Sequence, residues 1–322
     1  MTRSMRLAML GLLVALLFLG SLACGKAWVP PGAWLDGDPR WWIIVDLRLP
    51  RAVLALALGA VLGLSGAVLQ GYLRNPLADP GVVGVSSAAA LGAVAALVAG
   101  AAGGATVFAA AIAGAAAAMA LLAALTWRSD STVTFVLAGT VLASLAGALT
   151  AFLISVAPNP YAVAEIMDWL MGALTDRGWP DVALALPPMA VGAALLWRTA
   201  PALDALALGE VAAASLGIHA GRTRALVVAG TGLAVGAGVA ATGVIGFVGL
   251  VVPHLLRPLF GHRPGALLLP SALGGAALLL AADSLVRLAP GAGEVRLGVA
   301  MAMIGAPFFL FLLLGARGSA WR

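Results

Sequence analysis

Long uncharged stretches recur along the 322-residue chain and are separated by short polar segments. These apolar runs cover residues 5–25, 49–71, 84–101, 105–126, 133–156, 181–197, 223–242, 244–260, 267–288 and 297–315. A helix needs about 20 mostly apolar residues to cross roughly 30 Å of hydrocarbon. The pattern therefore predicts an all-α, polytopic membrane protein with about ten transmembrane helices. No soluble domain or long linker is expected, so residues 1–322 form a single membrane domain.

Two local features modify this pattern. Residues 157–180 are more polar than the runs on either side, which predicts a short helix lying at the membrane surface. The eighth run contains Pro253, and a proline inside a helix removes a backbone hydrogen bond. We therefore expect that helix to kink or break near His254.

The overall composition supports a membrane protein. The chain is 62% hydrophobic and 10% charged, with 41 glycines and a mean hydropathy of +1.07. Such a combination is typical of polytopic helical membrane proteins. The net charge of +5 comes from basic residues that are scattered singly, which argues against a nucleic-acid partner. The one cysteine, Cys24, excludes a disulfide within the chain.

The distribution of charge predicts the topology. Ten spans place both termini on one side of the membrane. If that side is cytoplasmic, it carries 11 basic and 4 acidic residues, whereas the outer side carries 7 basic and 9 acidic residues. The positive-inside rule favours this orientation. Arg48, Arg51 and Arg287 are exceptions, because they fall at outer ends of predicted helices.

The sequence offers no catalytic chemistry. A GxxxxGK[ST] phosphate loop is absent, so the chain itself is not expected to hydrolyse ATP. Its histidines (His219, His254 and His262) are too far apart to show metal-ligand spacing. No Ser/His/Asp set or pair of carboxylates stands out. We predict a protein that is not an enzyme and that holds no cofactor or metal.

The second apolar run is built for close packing and ends in a rigid turn. Gly59 and Gly63 have the spacing that lets another helix approach closely. Gln70 lies too deep to face lipid, so it should face protein or a water-filled path. Beyond it, the dipeptides Asn75-Pro76 and Asp79-Pro80 prevent the helix from continuing.

The predicted inner loop, residues 199–222, has the pattern of two short helices. Asp204 can cap a helix, Gly209 interrupts it, Glu210 suits the start of a second helix, and Gly217 can end that one. Such a pair would form a compact projection on the inner face. A plain connector at the membrane surface is the alternative.

These segments together resemble the FecCD-type permeases, the membrane subunits of binding-protein-dependent ABC importers for iron-siderophores, haem and vitamin B12. The resemblance rests on the pattern RLPR…LQ…NPLADP within residues 48–80, on GVIGFVGLVVPHLLR at residues 243–257, and on GAPF at residues 305–308. It implies a type II ABC importer permease fold in a bacterial inner membrane. It also implies three partners: a second copy of the chain, two copies of an ATPase subunit, and a periplasmic or lipid-anchored substrate-binding protein.

The resemblance also assigns roles to residues. Arginines matching Arg48, Arg51 and Arg287 would receive glutamates of the binding protein, although contact with lipid headgroups is the simpler explanation. The inner loop would dock on the ATPase through Ala205, Leu206, Leu208, Gly209, Glu210, Ser215, Leu216 and Gly217. The inner gate and turn would comprise Asn75, Pro76, Asp79, Pro80, Ser131 and Thr132, of which the prolines also suit a purely structural turn.

The cargo implied by the resemblance is a ferric siderophore, with haem or a corrinoid such as vitamin B12 left open. An ion-gradient-driven secondary transporter is the rival from another class. That class predicts unpaired carboxylates at mid-membrane depth. Asp283, within a turn of the predicted outer end of its helix, does not meet this expectation.

Overall fold

The structure is a computed structural model that describes residues 2–34, 40–101, 103–127, 131–289 and 294–319. Within these residues the chain forms thirteen α-helices and no strand. The helices are α1 (Arg3–Ala23), α2 (Leu49–Tyr72), α3 (Val85–Val98), α4 (Gly104–Thr126), α5 (Thr132–Ser155), α6 (Pro160–Leu170), α7 (Trp179–Trp197), α8 (Ala200–Leu206), α9 (Glu210–Ser215), α10 (Ala220–Thr242), α11 (Val248–Phe260), α12 (Pro264–Leu288) and α13 (Leu297–Ser319). A π-helix, Ile43–Arg48, leads directly into α2.

The predicted spans correspond to helices one by one. Among the described residues, seven helical stretches are long and apolar enough to cross a membrane, and they contain α1, α2, α4, α5, α7, α10 and α12. Three shorter apolar helices, α3, α11 and the apolar part of α13, account for the remaining runs. The all-α prediction of about ten membrane helices is therefore confirmed.

Helix α11 differs from its prediction. It starts at Val248 and not at residue 244, because Gly243 (φ +73°) and Phe247 (φ +67°) adopt left-handed conformations that end α10 and delay the next helix. It then continues through Pro253 to Phe260. Of the expected kink or break near His254, the break is therefore wrong. The carbonyl that Pro253 leaves without a helical donor is bonded by a side chain of another helix, as described below.

Helix α2 lies at the centre of the bundle, and small residues explain how other helices reach it. A Cβ on Gly59 or Gly63 would overlap the backbone of α12 at Gly275 or Ser271. In lipid no hydrophobic force drives helices together, so their association relies on the van der Waals contact that such close backbone approach provides. The predicted packing role of Gly59 and Gly63 is confirmed.

The two ends of the bundle carry different elements. We call the end with α8 and α9 the inner end and the opposite end the outer end, following the predicted topology. At the outer end, α6 is the short helix expected between residues 157 and 180. Asn159 caps it by accepting from the N–H of Ala162 at 2.9 Å. The segment after α6 is bonded to the rest of the bundle, since Ala173 N–H donates to Thr242 at 2.8 Å and Gly298 N–H donates to Gly172 at 3.1 Å.

Candidate functional site

Four charged side chains, three of them buried and one partly exposed, form a cluster near the outer end. Arg51 of α2 holds Asp283 of α12 with Nε and Nη2, at 3.0 and 2.8 Å from Oδ1. Its Nη1 lies 2.8 Å from Glu294 Oε2, and Arg287 Nη2 lies 2.9 Å from Asp283 Oδ2. Asp283 is fully buried. Two cations and two carboxylates thus balance one another where an unpaired charge would be costly.

Arg48 and Arg287 also bind the end of α1. Arg48 Nη1 donates to the carbonyls of Leu22 and Ala23 at 2.9 and 3.0 Å. Arg287 Nη1 donates to Ser21 O at 3.0 Å. The last carbonyls of a helix have no intrahelical donor and carry partial negative charge, so two guanidinium groups stabilise this terminus.

The three predicted docking arginines therefore come together in the fold. Arg48, Arg51 and Arg287 are 6%, 8% and 4% exposed. All three border an open cavity of about 470 Å³, which Lys26 and Arg177 also line. Their contacts within the chain give them a structural function, and docking of a binding protein stays a prediction.

Glu294 closes one side of this cluster from the connection between α12 and α13. Its Oε2 accepts from Thr175 Oγ1 at 3.0 Å and also meets Arg51. Partial burial disfavours the charged form, but the Arg51 guanidinium, the Thr175 hydroxyl and Arg287 together outweigh this effect and hold the pKa of Glu294 below its ordinary value. The carboxylate is thus charged near neutral pH and links three segments of the outer end.

The inner turn follows α2 as the sequence predicts. Asn75 Oδ1 accepts from Leu77 N–H at 2.9 Å, and Asp79 Oδ1 accepts from Gly81 N–H at 2.8 Å. Asp79 caps a short 3₁₀ helix, Pro80–Val83, that leads into α3. Burial raises the pKa of Asp79, although backbone N–H bonds from Gly81 and Leu250 act in the opposite direction.

Helices α8 and α9 form the predicted projection at the inner end. Gly209 (φ +107°) separates them, and Glu210 begins α9. The end of α9 is a Schellman motif around Gly217 (φ +79°), with Ile218 N–H bonded to Ala213 O at 3.0 Å. The two-helix prediction is confirmed.

The side chains of this projection divide into two faces. Ala205 and Ala213 are buried against the bundle, whereas Leu208, Val211 and Leu216 are 71%, 83% and 63% exposed. Exposed apolar side chains on a small projection are typical of a surface that binds a partner.

One expectation about this loop is wrong. Asp204 lies inside α8 and does not cap it; its carboxylate accepts from Gly265 N–H at 2.7 Å and from Arg263 Nε at 2.8 Å. It therefore caps the first turn of α12, where free N–H groups need an acceptor. The cap ties the projection to that helix.

The fold brings the inner turn, the projection and the start of α5 together. Arg74, which precedes Asn75 and has φ +49°, pairs with Glu210. Both side chains border a cavity of about 170 Å³ that Thr132 and Leu206 also line. Ser131 caps α5 through Thr134 N–H at 3.4 Å. Residues predicted as gate and as coupling element are thus neighbours, while their roles stay predictions.

Some residues of these sites were not assigned a role from the sequence. Asp283 and Glu294 hold Arg51, and Arg257 Nη2 donates to Gln70 Oε1 at 2.7 Å. For Asp283 and Arg257 the useful signal was charge itself, because ionisable groups inside apolar runs require partners. Within the described part of the chain, no three His, Cys, Asp or Glu side chains gather closely enough to hold a metal ion.

Comparison with known proteins connects this architecture to transport. The profile of the FecCD transport family matches residues 12–315. The cobalamin import system permease protein BtuC of Halobacterium salinarum is 44% identical over 278 residues, which cover 84% of this chain and 73% of that protein. The vitamin B12 import system permease protein BtuC of Klebsiella pneumoniae is 39% identical over 312 residues, covering 96% of this chain and 93% of that protein.

A solved structure agrees with these relatives. A metal-chelate type ABC transporter in an inward-facing conformation superposes with a TM-score of 0.89 at 32% sequence identity. The match covers 97% of this chain and 99% of that one. The arrangement of helices is therefore shared along almost the whole length of both chains.

Proposed function

The chain belongs to the FecCD transport family as a membrane-spanning ABC importer permease, and we propose that its cargo is a corrinoid such as vitamin B12. The observation that carries this proposal is the identity to vitamin B12 permeases over nearly the full chain. Of the cargoes expected from the sequence, these relatives favour the corrinoid over the ferric siderophore. A corrinoid is itself a cobalt chelate, which fits the metal-chelate type of the structural neighbour.

We infer that the permease works in a bacterial inner membrane with both termini in the cytoplasm. Its proposed complex contains a second copy of this chain, two ATPase subunits and one binding protein. The absence of a phosphate loop from the sequence supports a separate ATPase. Apolar side chains exposed along α5, such as Leu137, Val141 and Phe152, would face lipid or the second copy.

At the inner end, α8 and α9 are the proposed contact with the ATPase. The exposed side chains of Leu208, Val211 and Leu216 would enter a cleft of that subunit. The Arg74–Glu210 pair then links this contact to the inner turn. Nucleotide on the ATPase and cargo on the binding protein would bias one two-state equilibrium from opposite sides of the membrane.

At the outer end, the cavity beside Arg48, Arg51 and Arg287 is the proposed contact with the binding protein. A carboxylate of that protein would enter beside Arg51, close to Glu294. Charge-assisted contacts of this kind predict an affinity that falls as salt is added.

Reconstitution tests the proposal directly. The chain, its ATPase subunit and its binding protein are placed in proteoliposomes, and uptake of labelled cyanocobalamin, haemin and ferrichrome is compared with and without ATP. We expect ATP-dependent uptake of cyanocobalamin. ATP-dependent uptake of ferrichrome alone would contradict the corrinoid proposal and support a ferric siderophore as the cargo. Gradient-driven uptake by the chain without an ATPase would establish a secondary transporter.

A further inference from the structure

The start of α11 contains a carbonyl that its own helix cannot bond. Pro253 has no N–H, so the carbonyl of Gly249, four residues earlier, lacks its usual helical donor. An unpaired carbonyl in a buried site carries a large cost. Gln70 of α2 meets this need, because its Nε2 lies 3.2 Å from Gly249 O.

The amide of Gln70 is held in place from its other side. Arg257 Nη2, one turn beyond Pro253, donates to Gln70 Oε1 at 2.7 Å. This bond fixes which end of the amide faces the carbonyls. Gln70 Nε2 also lies 3.4 Å from the carbonyl of Ala78 in the inner turn. The Gln70 side chain, which is 3% exposed, thus links its own helix α2 to α11 and to the inner turn.

The backbones of α2 and α11 are in contact at this point, so one helix cannot shift against the other unless these contacts change. A Cβ on Gly66 would overlap the backbone of Gly249, so α2 and α11 touch directly. The inner turn also lies against this backbone, since Asp79 Oδ2 is 3.2 Å from the position that a Cβ on Gly249 would take. The start of α11 is therefore held by groups from α2 and the turn.

A continuous set of contacts joins this junction to the projection. Glu210 at the start of α9 pairs with Arg74, and Arg74 directly precedes the turn that carries Asp79. A displacement of α9 would pull on the turn, and the turn shares Gln70 with α11. The junction lies where movement at the inner end can reach a helix that starts inside the bundle.

We propose that Gln70 is a positioning residue that replaces the amide missing at Pro253 and locks α11 to α2. When α9 moves, the lock transmits that movement to α11 as one unit. Without the lock, the Pro253 joint absorbs the movement and ATP hydrolysis becomes uncoupled from transport. The coupling part of this inference rests on the proposed function, whereas the lock rests on the contacts alone.

The lock is tested on the full chain in lipid nanodiscs by hydrogen exchange of peptides covering residues 248–257. Gln70→Leu removes the donor, and we expect exchange there to rise about tenfold. Ser65→Ala is the matched control, because Ser65 is equally buried on α2 and its hydroxyl bonds nothing among the described residues. Gln70→Glu serves if the leucine variant does not fold, since it keeps an acceptor for Arg257 but loses the donor.

A second substitution separates the lock from simple packing. Pro253→Ala restores an N–H at position 253 that can reach Gly249 O, so this carbonyl no longer needs the Gln70 amide. In the Pro253→Ala background we expect Gln70→Leu to raise exchange less than twofold. An equal rise in both backgrounds, or no rise in either, would overturn the replacement of the proline amide by Gln70.

The transmission step has its own measurement. In proteoliposomes with ATPase and binding protein, we expect Gln70→Leu to lower cyanocobalamin transported per ATP hydrolysed at least threefold, while Ser65→Ala matches the wild type. If exchange of residues 248–257 rises but the amount of cyanocobalamin transported per ATP is unchanged, the transmission of movement is refuted, whereas the lock between α2 and α11 stands. Absence of ATP-dependent uptake in the wild type would instead contradict the proposed function, and the exchange result would still decide the lock.

Discussion

Asp283→Asn tests whether the outer cluster holds the fold together. The substitution keeps the size of the side chain but removes the charge that lies between Arg51 and Arg287. Asp283 is fully buried, so two guanidinium groups would remain in the protein with Glu294 as their nearby carboxylate. Loss of one member of a buried pair typically costs about 3–5 kcal/mol, mostly because the partner stays buried without compensation.

Glu294→Gln provides the matched comparison at the same cluster. The Glu294 side chain is 22% exposed and contacts Arg51 at one oxygen, 2.8 Å away. Water can replace part of what is lost, so the expected cost is about 1 kcal/mol. Each kcal/mol lowers the unfolding midpoint of a chain of this size by roughly 2 °C. Asp283→Asn should therefore unfold roughly 4–8 °C below Glu294→Gln.

The assay is thermal unfolding of the purified chain in detergent, followed by the fluorescence of its nine tryptophans. Equal midpoints for the two variants would refute the reasoning, because burial would then not decide the cost. The result also bears on docking. If loss of Asp283 destabilises the chain, variants of Arg51 must be compared at equal folded fraction before weaker binding-protein affinity is attributed to docking.

Two further predictions concern the charged contacts at either end of the bundle. Glu210→Arg should leave the unfolding midpoint almost unchanged, because the Arg74–Glu210 pair is about half exposed and contributes about 0.2–1 kcal/mol; uptake per ATP in proteoliposomes should fall, and the added exchange Arg74→Glu should restore part of it. Wild-type uptake in the single variant would show that the loop is only a connector. For Glu294, the lowered pKa means that its contribution to stability is present above its ordinary value of 4.5 and is lost as pH falls through the folded-state pKa. Glu294→Gln should therefore flatten the acid side of a midpoint-versus-pH curve; identical acid limbs would contradict the assignment.

Local rules in the sequence predicted most of the elements. The length of each apolar run predicts a membrane helix, and this holds for the ten helices α1–α5, α7 and α10–α13. Gly209 and Gly217 mark the ends of α8 and α9 because glycine adopts positive φ without steric cost. Asn75 and Asp79 bond nearby backbone as their turn chemistry predicts. These features depend on neighbours along the chain.

Tertiary packing decided which charged and polar groups meet. Arg51 reaches Asp283 across 232 positions, and Arg257 reaches Gln70 across 187. Asp204 caps α12, because packing brings the start of that helix to it. The carbonyl that Pro253 leaves without a helical donor is likewise bonded by a side chain of α2. Local propensity cannot specify such pairs, because the rotation and approach of two helices follow from all the small residues at their interface.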